Sequence, residues 1–247
     1  MESRVEGRSV GIMISLNFWI LFYFFIGGVI LYYSRYQPFP EIGGRFAFLI
    51  IFFGIIFTIA STAPRETLEE LPALITVIIG GFGIIIGVRH MVNTKQDVIL
   101  APFGGLLLCI GAIDLLTVDW VNSTMNEQIM SFIIASIIVM LEIYLAFRGL
   151  VVGVPGISWS KSGLRQIKRG LIYGKNGAIE HFKKSWDMND PWLNTMSHAA
   201  LFLIYEKIGD DKKGSEHLLE LEKNGGWSAL DESWTEIIKN SLNEISL

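Results

Sequence analysis

Cysteine is nearly missing from this chain of 247 residues. Cys109 is the only one, so no internal disulfide can form and the redox compartment cannot be read from thiol usage. It lies inside an apolar run and reads as a small packing residue. Charge is scarce as well, at 18% of residues against about 25% in ordinary soluble domains. The net charge of −4 is mild and gives no basic surface for a nucleic-acid partner. The four histidines, His90, His181, His198 and His217, have no metal-ligand spacing in the sequence, so no metal and no cofactor are expected. The chain contains no Gly-x-Ser-x-Gly elbow, no His-Glu-x-x-His and no Walker loop. No catalytic residue can be assigned on these grounds, and an enzyme is not expected.

Long apolar runs are what the chain has in quantity. Hydrophobic residues make up 51% of it, the mean hydropathy is +0.45, and the charges are segregated from the apolar stretches. Five blocks, at about 10–33, 46–63, 71–88, 98–118 and 129–147, approach the roughly 20 apolar residues that cross about 30 Å of hydrocarbon. The first is longer than the apolar core of a cleaved signal peptide, and bulky Leu31, Tyr32 and Tyr33 follow its glycines, so it reads as a retained span. Tyr32, Tyr33 and Tyr36 suit the aromatic belt at the water boundary. Blocks two and three are short, which calls for a locally thinner bilayer or, as the alternative, a re-entrant pair. The expected fold class is all-α: a polytopic bundle of five transmembrane helices over 1–152, a basic juxtamembrane linker over 153–168, and a small soluble helical-hairpin domain over 169–247.

Basic residues set an orientation. Arg35 and Arg45, then Arg89 and Lys95, then Arg148, Lys161, Arg165, Lys168 and Arg169 share one side of a five-span protein; Arg4, Arg8 and Arg65 take the other. The positive-inside rule then puts the C-terminus in the cytoplasm and the N-terminus outside, in a cell or plasma membrane. Asn122-Ser123-Thr124, a glycosylation sequon, falls on the expected outer side.

Two acids interrupt the blocks, Asp114 in the outer part of the fourth and Glu142 in the inner half of the fifth. A charge near the centre of a span costs about 2.5–3.5 kcal/mol, while each Ile, Leu, Val or Phe returns roughly 0.3–0.6 kcal/mol. Block five has about eleven of these, so it inserts with Glu142 turned from lipid, protonated or paired. Glu142 and Asp114 are therefore candidates for a proton or cation site, for a partner contact, or for plain helix-to-helix hydrogen bonding. Glycines at 80, 81, 83, 87, 104, 105 and 111 mark close helix packing. Glu69-Glu70 resembles the paired glutamates of intramembrane CAAX-type proteases. Leu74 stands where that pattern wants arginine, and no histidine-rich helix accompanies it, so the match fails.

Gly153-Val154-Pro155-Gly156 breaks the chain. Lys161, Arg165, Lys168 and Arg169 then alternate with Leu164, Ile167 and Leu171 at helical spacing, which suits contact with anionic headgroups or the first helix of the tail. Helical patterns follow over about 177–186 and 191–208, up to about 223, and from about 229, where Ser228-x-x-Asp231 has capping-box spacing. From about 169 onward the tail resembles tetratricopeptide repeats. Ala178 and Phe182 sit at second-helix positions of one unit, and Tyr205, Gly209 and Asp210 at the Tyr-to-turn positions of the next; Gly214 and Leu218 replace the usual Ala and Phe. The resemblance implies a stacked helical domain that binds a peptide or another protein. The expected role is a membrane-anchored scaffold or recruitment factor with the lipid bilayer and a protein partner as its contacts. The alternative is a small transporter or channel subunit using Glu142.

Overall fold

The computed structural model describes residues 14–65, 67–118, 120–186 and 190–245. Among them every regular element is helical, and the chain divides into two compact units, 1–153 and 154–247.

The first unit holds five apolar helices, each long enough to cross a membrane: α1 (Leu16–Ser34), α2 (Pro40–Ser61), α3 (Leu71–Arg89), α4 (Leu100–Thr117) and α5 (Met125–Ala146). Two of them run on through a π-helical turn, α3 through His90–Thr94 and α5 through Phe147–Val151. The starts follow local chemistry. Ser15 caps α1 by accepting the Phe18 amide. Thr124 and Glu127 form a reciprocal capping box, so α5 begins four residues before its apolar run. Pro40 occupies the first turn of α2, where its missing N–H costs nothing.

That start corrects the reading of block two as short. The stretch Pro40-Glu41-Ile42-Gly43-Gly44-Arg45 looks like loop by composition but is helical, giving a helix of 22 residues. Block three gains length from the π turn, to 24 residues in all. Both helices have ordinary spanning length, so neither the thinned bilayer nor the re-entrant pair is needed. Residues 10–13, the expected start of block one, lie outside the described residues.

The pairs α1–α2, α3–α4 and α4–α5 run antiparallel, since Gly27 meets Ile51 while Gly54 meets Tyr23, Gly80 meets Leu108 while Gly87 meets Ala101, and Gly105 meets Glu142 while Gly149 meets Pro102. Gly54 on α2 faces Tyr23 on α1, Gly83 on α3 faces Gly104 on α4, and Gly105 on α4 faces Glu142 on α5. A buried cluster joins α1 through α4: Trp19, Tyr23, Ile50, Phe57, Ala73, Ile79 and Leu107. Within it the Tyr23 and Thr76 hydroxyls are 2.8 Å apart, and Thr76 also donates to the Pro72 carbonyl. Pairing satisfies both hydroxyls where water is absent.

The second unit comprises α6 (Gly156–Lys168), α7 (Ala178–Lys184), α8 (Pro191–Ile208), α9 (Asp211–Lys223), a 3-10 turn at Trp227–Ala229 and α10 (Glu232–Asn243). Its core gathers Ile167, Ile172, Ala178, Phe182, Ala200, Leu201, Ile204, Ile238 and Leu242. Trp234 of α10 meets Phe182 edge-on and donates its indole N–H to the Met196 carbonyl at 3.3 Å. The last helix starts later than its sequence suggests. Asp231 is its N-cap, taking the Ser233 amide at 2.9 Å, and the Ser228 region forms the 3-10 turn instead.

Candidate functional site

Helix α4 positions the membrane candidates. Its Gly105 removes a side chain at the α5 seam, and the Glu142 carboxyl group fills the space so created, its Oε2 buried without a hydrogen-bond partner. Leu145, one turn portion on, packs against the same glycine and is buried. Asp114 is buried nearer the other end of α4, where its Oδ1 accepts the Ile14 amide at 3.3 Å and its Oδ2 has no partner. The structure therefore gives the two acids separate surroundings: Glu142 belongs to the α4–α5 seam and Asp114 to the start of α1. Nine residues separate Gly105 from Asp114, about 13 Å at 1.5 Å per residue along one helix.

Sequence reasoning passed over a third acid. Asp97 is fully buried just before α4, and its Oδ1 accepts the amides of Ile99 at 3.1 Å and Leu100 at 2.8 Å. It closes the open amide end of α4 as a capping carboxylate does. The available signal was an Asp three residues ahead of an apolar helix. The two π turns lie at this same end, since Gly149 packs on Pro102 and on the Val98 carbonyl.

In the second unit the basic residues sit on or just after α6. Lys161, Lys168 and Arg169 are exposed and Arg165 is half-buried. The apolar stripe between them turns inward: Ile167 is fully buried and Leu164 packs on the same core, with Leu171 exposed. The segment expected as a linker thus contributes to the core of the second unit.

The five repeat-like positions separate into two groups. Ala178 and Phe182 are core residues, and Phe182 fills the space opposite Gly163. Tyr205, Gly209 and Asp210 build the α8–α9 turn. Gly209 takes φ +76°, a left-handed conformation that ends α8 at little cost only for glycine. Asp210 then caps α9 through the Lys213 amide and pairs with the Lys213 ammonium at 2.8 Å, which holds its carboxyl below the usual range. Beside this turn lies an open groove of about 670 Å³, bordered by Tyr173, Glu180, Lys183, Tyr205, Asp210, Lys212 and Lys213.

The histidines do not stay isolated. His198 of α8 and His217 of α9 approach to 3.1 Å between their Nδ1 atoms, although 19 residues separate them. Their spacing in sequence hid this, because it spans a helix end, a turn and a helix start. His181 is also buried, with Nδ1 unpartnered, and burial followed by the nearby Lys184 charge lowers its pKa to about 4. Among the described residues no three His, Cys, Asp or Glu side chains already converge on a metal position.

No family model matches the chain, and no curated protein or solved structure matches it.

Proposed function

We propose that this protein is a membrane-anchored scaffold whose second unit recruits a protein or peptide partner on the cytoplasmic side. The carrying observation is the groove at the α8–α9 turn. It is open, it joins aromatic Tyr173 and Tyr205 with three lysines and three acids, Glu180, Asp210 and Asp211, and its lining includes the left-handed Gly209 and the capping Asp210. Tyrosines supply rigid contact area, and the charges are balanced, with Lys183 paired to Glu180 and Lys213 to Asp210, which suits a partner segment of mixed charge. The tetratricopeptide-like character of the tail is part of this reading. Its support is the pairing of α6 with α7 and of α8 with α9 as consecutive hairpins, the buried Ala178 and Phe182, and a small residue, Gly214, opposite Tyr205. The basic count around the spans supports the cytoplasmic assignment.

The test compares the full chain with Lys183→Glu/Lys212→Glu/Lys213→Glu after cross-linking in cells. A partner that is captured by the wild type and lost from the triple variant is expected. An identical set of cross-linked proteins from wild type, triple variant and a chain lacking 169–247 would sink the proposal.

One observation favours a second reading, a small transporter or channel subunit. Glu142 places an unpartnered carboxyl oxygen inside the α4–α5 seam, and intramembrane acids commonly mark ion or proton paths. Here Glu142→Gln abolishes ion-coupled flux in proteoliposomes; flux unchanged by the substitution, or absent from the wild type, removes this reading.

A further inference from the structure

The second unit has another concavity, of about 400 Å³, bordered by Trp186, Asn194, His198, Glu220 and Asn224. Its His198 is one member of the histidine pair, with His217 as the other. Trp186 stacks on His198 with ring centres 4.9 Å apart and planes 22° apart, and Tyr205 stacks on His217 at 5.5 Å and 6°. Each imidazole is thus clamped on one face by an aromatic ring, and the two Nδ1 atoms are left facing each other at 3.1 Å. Burial lowers the pKa of both. For His217 the neighbouring His198 and then Lys183 push the same way, while Glu216 and Glu220 oppose them; for His198 only Glu220 opposes. Neutral imidazoles carry the lone pair that a metal needs.

The spacing suits one shared ion. Two nitrogens each about 2.0–2.1 Å from a metal and 3.1 Å from each other subtend an angle of about 98°, between the square-planar and tetrahedral values. Glu220 lies three residues after His217 on α9, on the same side of the helix. Its carboxylate now pairs with Lys223 at 2.6 Å on the exposed face, an interaction weak enough to exchange. Imidazole with carboxylate is a donor set for borderline divalent ions rather than for magnesium or calcium.

We propose that His198 and His217 form a two-imidazole site for one divalent transition-metal ion of the zinc, nickel or copper kind. Glu220 rotates in as the third ligand and water completes the shell. Such an ion ties α8 to α9 across the Gly209-Asp210 turn. The site stands on its own geometry and does not depend on what the lysine-bordered groove binds.

The experiment uses the full chain in detergent, purified through a histidine-free tag and stripped of metal. Zinc titration followed by calorimetry is expected to show one ion per chain. His198→Gln or His217→Gln weakens binding at least tenfold, Glu220→Gln weakens it several-fold, and His181→Gln leaves it unchanged. Copper added to the wild type alone gives an electron paramagnetic resonance spectrum with coupling to two nitrogens, which needs no variant to fold. Saturable binding that survives both histidine substitutions overturns the proposal. So does a wild type that binds no zinc or copper, in which case the pair is an imidazole-to-imidazole hydrogen bond only.

Discussion

Helix α4 has two seams, and they are built differently. Toward α3 it presents Gly104 and Gly111, and α3 answers with Gly80, Gly83 and Gly87, so that backbone lies on backbone. Toward α5 it offers Gly105 to the carboxyl group of Glu142, and α5 otherwise leaves most of its surface uncovered: 6% of its spanning window is buried, against 50% for α4. Apolarity does not account for this, since the most apolar stretch of 125–151 exceeds that of α4 in hydropathy. In lipid, apolar side chains gain little by leaving the solvent, so close approach of small residues decides which helices become interior. The lesson is that glycine spacing, more than hydropathy, encodes which helices of this bundle are central.

The largest expected effect breaks the first seam. A Cβ at Gly83 would lie 2.9 Å from the Gly104 Cα, with nothing flexible on that side to give way. Gly83→Leu is expected to destabilise the bundle by about 1–3 kcal/mol or more, read as a lowered thermal midpoint of the full chain in detergent. Gly81→Leu, two residues away and facing open space, serves as its control and stays near neutral. Equal losses from both would show that the seam is not set by backbone approach.

Next comes the hydroxyl pair behind that seam. Tyr23→Phe removes the 2.8 Å contact with Thr76 and is expected to cost about 0.6–1 kcal/mol, because Thr76 keeps its bond to Pro72. Urea or detergent-ratio unfolding at fixed lipid content measures the difference, and a loss above that of Gly83→Leu contradicts the ranking.

Acid separates the second unit from the seams. His181 is held neutral down to about pH 4 when folded, and protonates near its ordinary 6.5 when unfolded. Between those values the unfolded chain binds the extra proton, so stability falls as pH falls. The thermal midpoint of the wild type should therefore drop relative to His181→Gln between pH 6.5 and 4, and a constant difference refutes the burial argument. The smallest effect belongs to the outer helix. Ile137 is 63% exposed on α5, and Ile137→Ala is expected to change stability by less than about 0.5 kcal/mol.

Much of this layout can be read directly from residues. Pro191 opens α8 and Gly209 closes it, in keeping with the helical pattern over 191–208 and the turn position of Gly209, because proline and left-handed glycine act through their own backbone geometry. Block two was misjudged at Pro40, since glycines and an arginine hide a helical turn whose support comes from packing: Gly43 sits against Ser34 and Ile99. The π turns leave no compositional trace. The proposed sites divide the same way. Glu142 and Asp114 stand out as acids in apolar runs, whereas Asp97 lies between runs and shows its role only once the α4 amides are placed. The His198–His217 pair depends on the register of two helices across a turn, which no spacing rule along the chain supplies.

The proposed function rests on an orientation read from the basic residues, which we propose puts the second unit on the cytoplasmic side and the α4–α5 loop outside. Replacing Cys109, the only cysteine, with serine allows single cysteines to be placed at exposed Val121 or exposed Ser228. In sealed cells treated with a membrane-impermeant maleimide, Val121→Cys should label at once and Ser228→Cys only after lysis. Labelling of Ser228→Cys in intact cells, with Val121→Cys protected, would contradict the account.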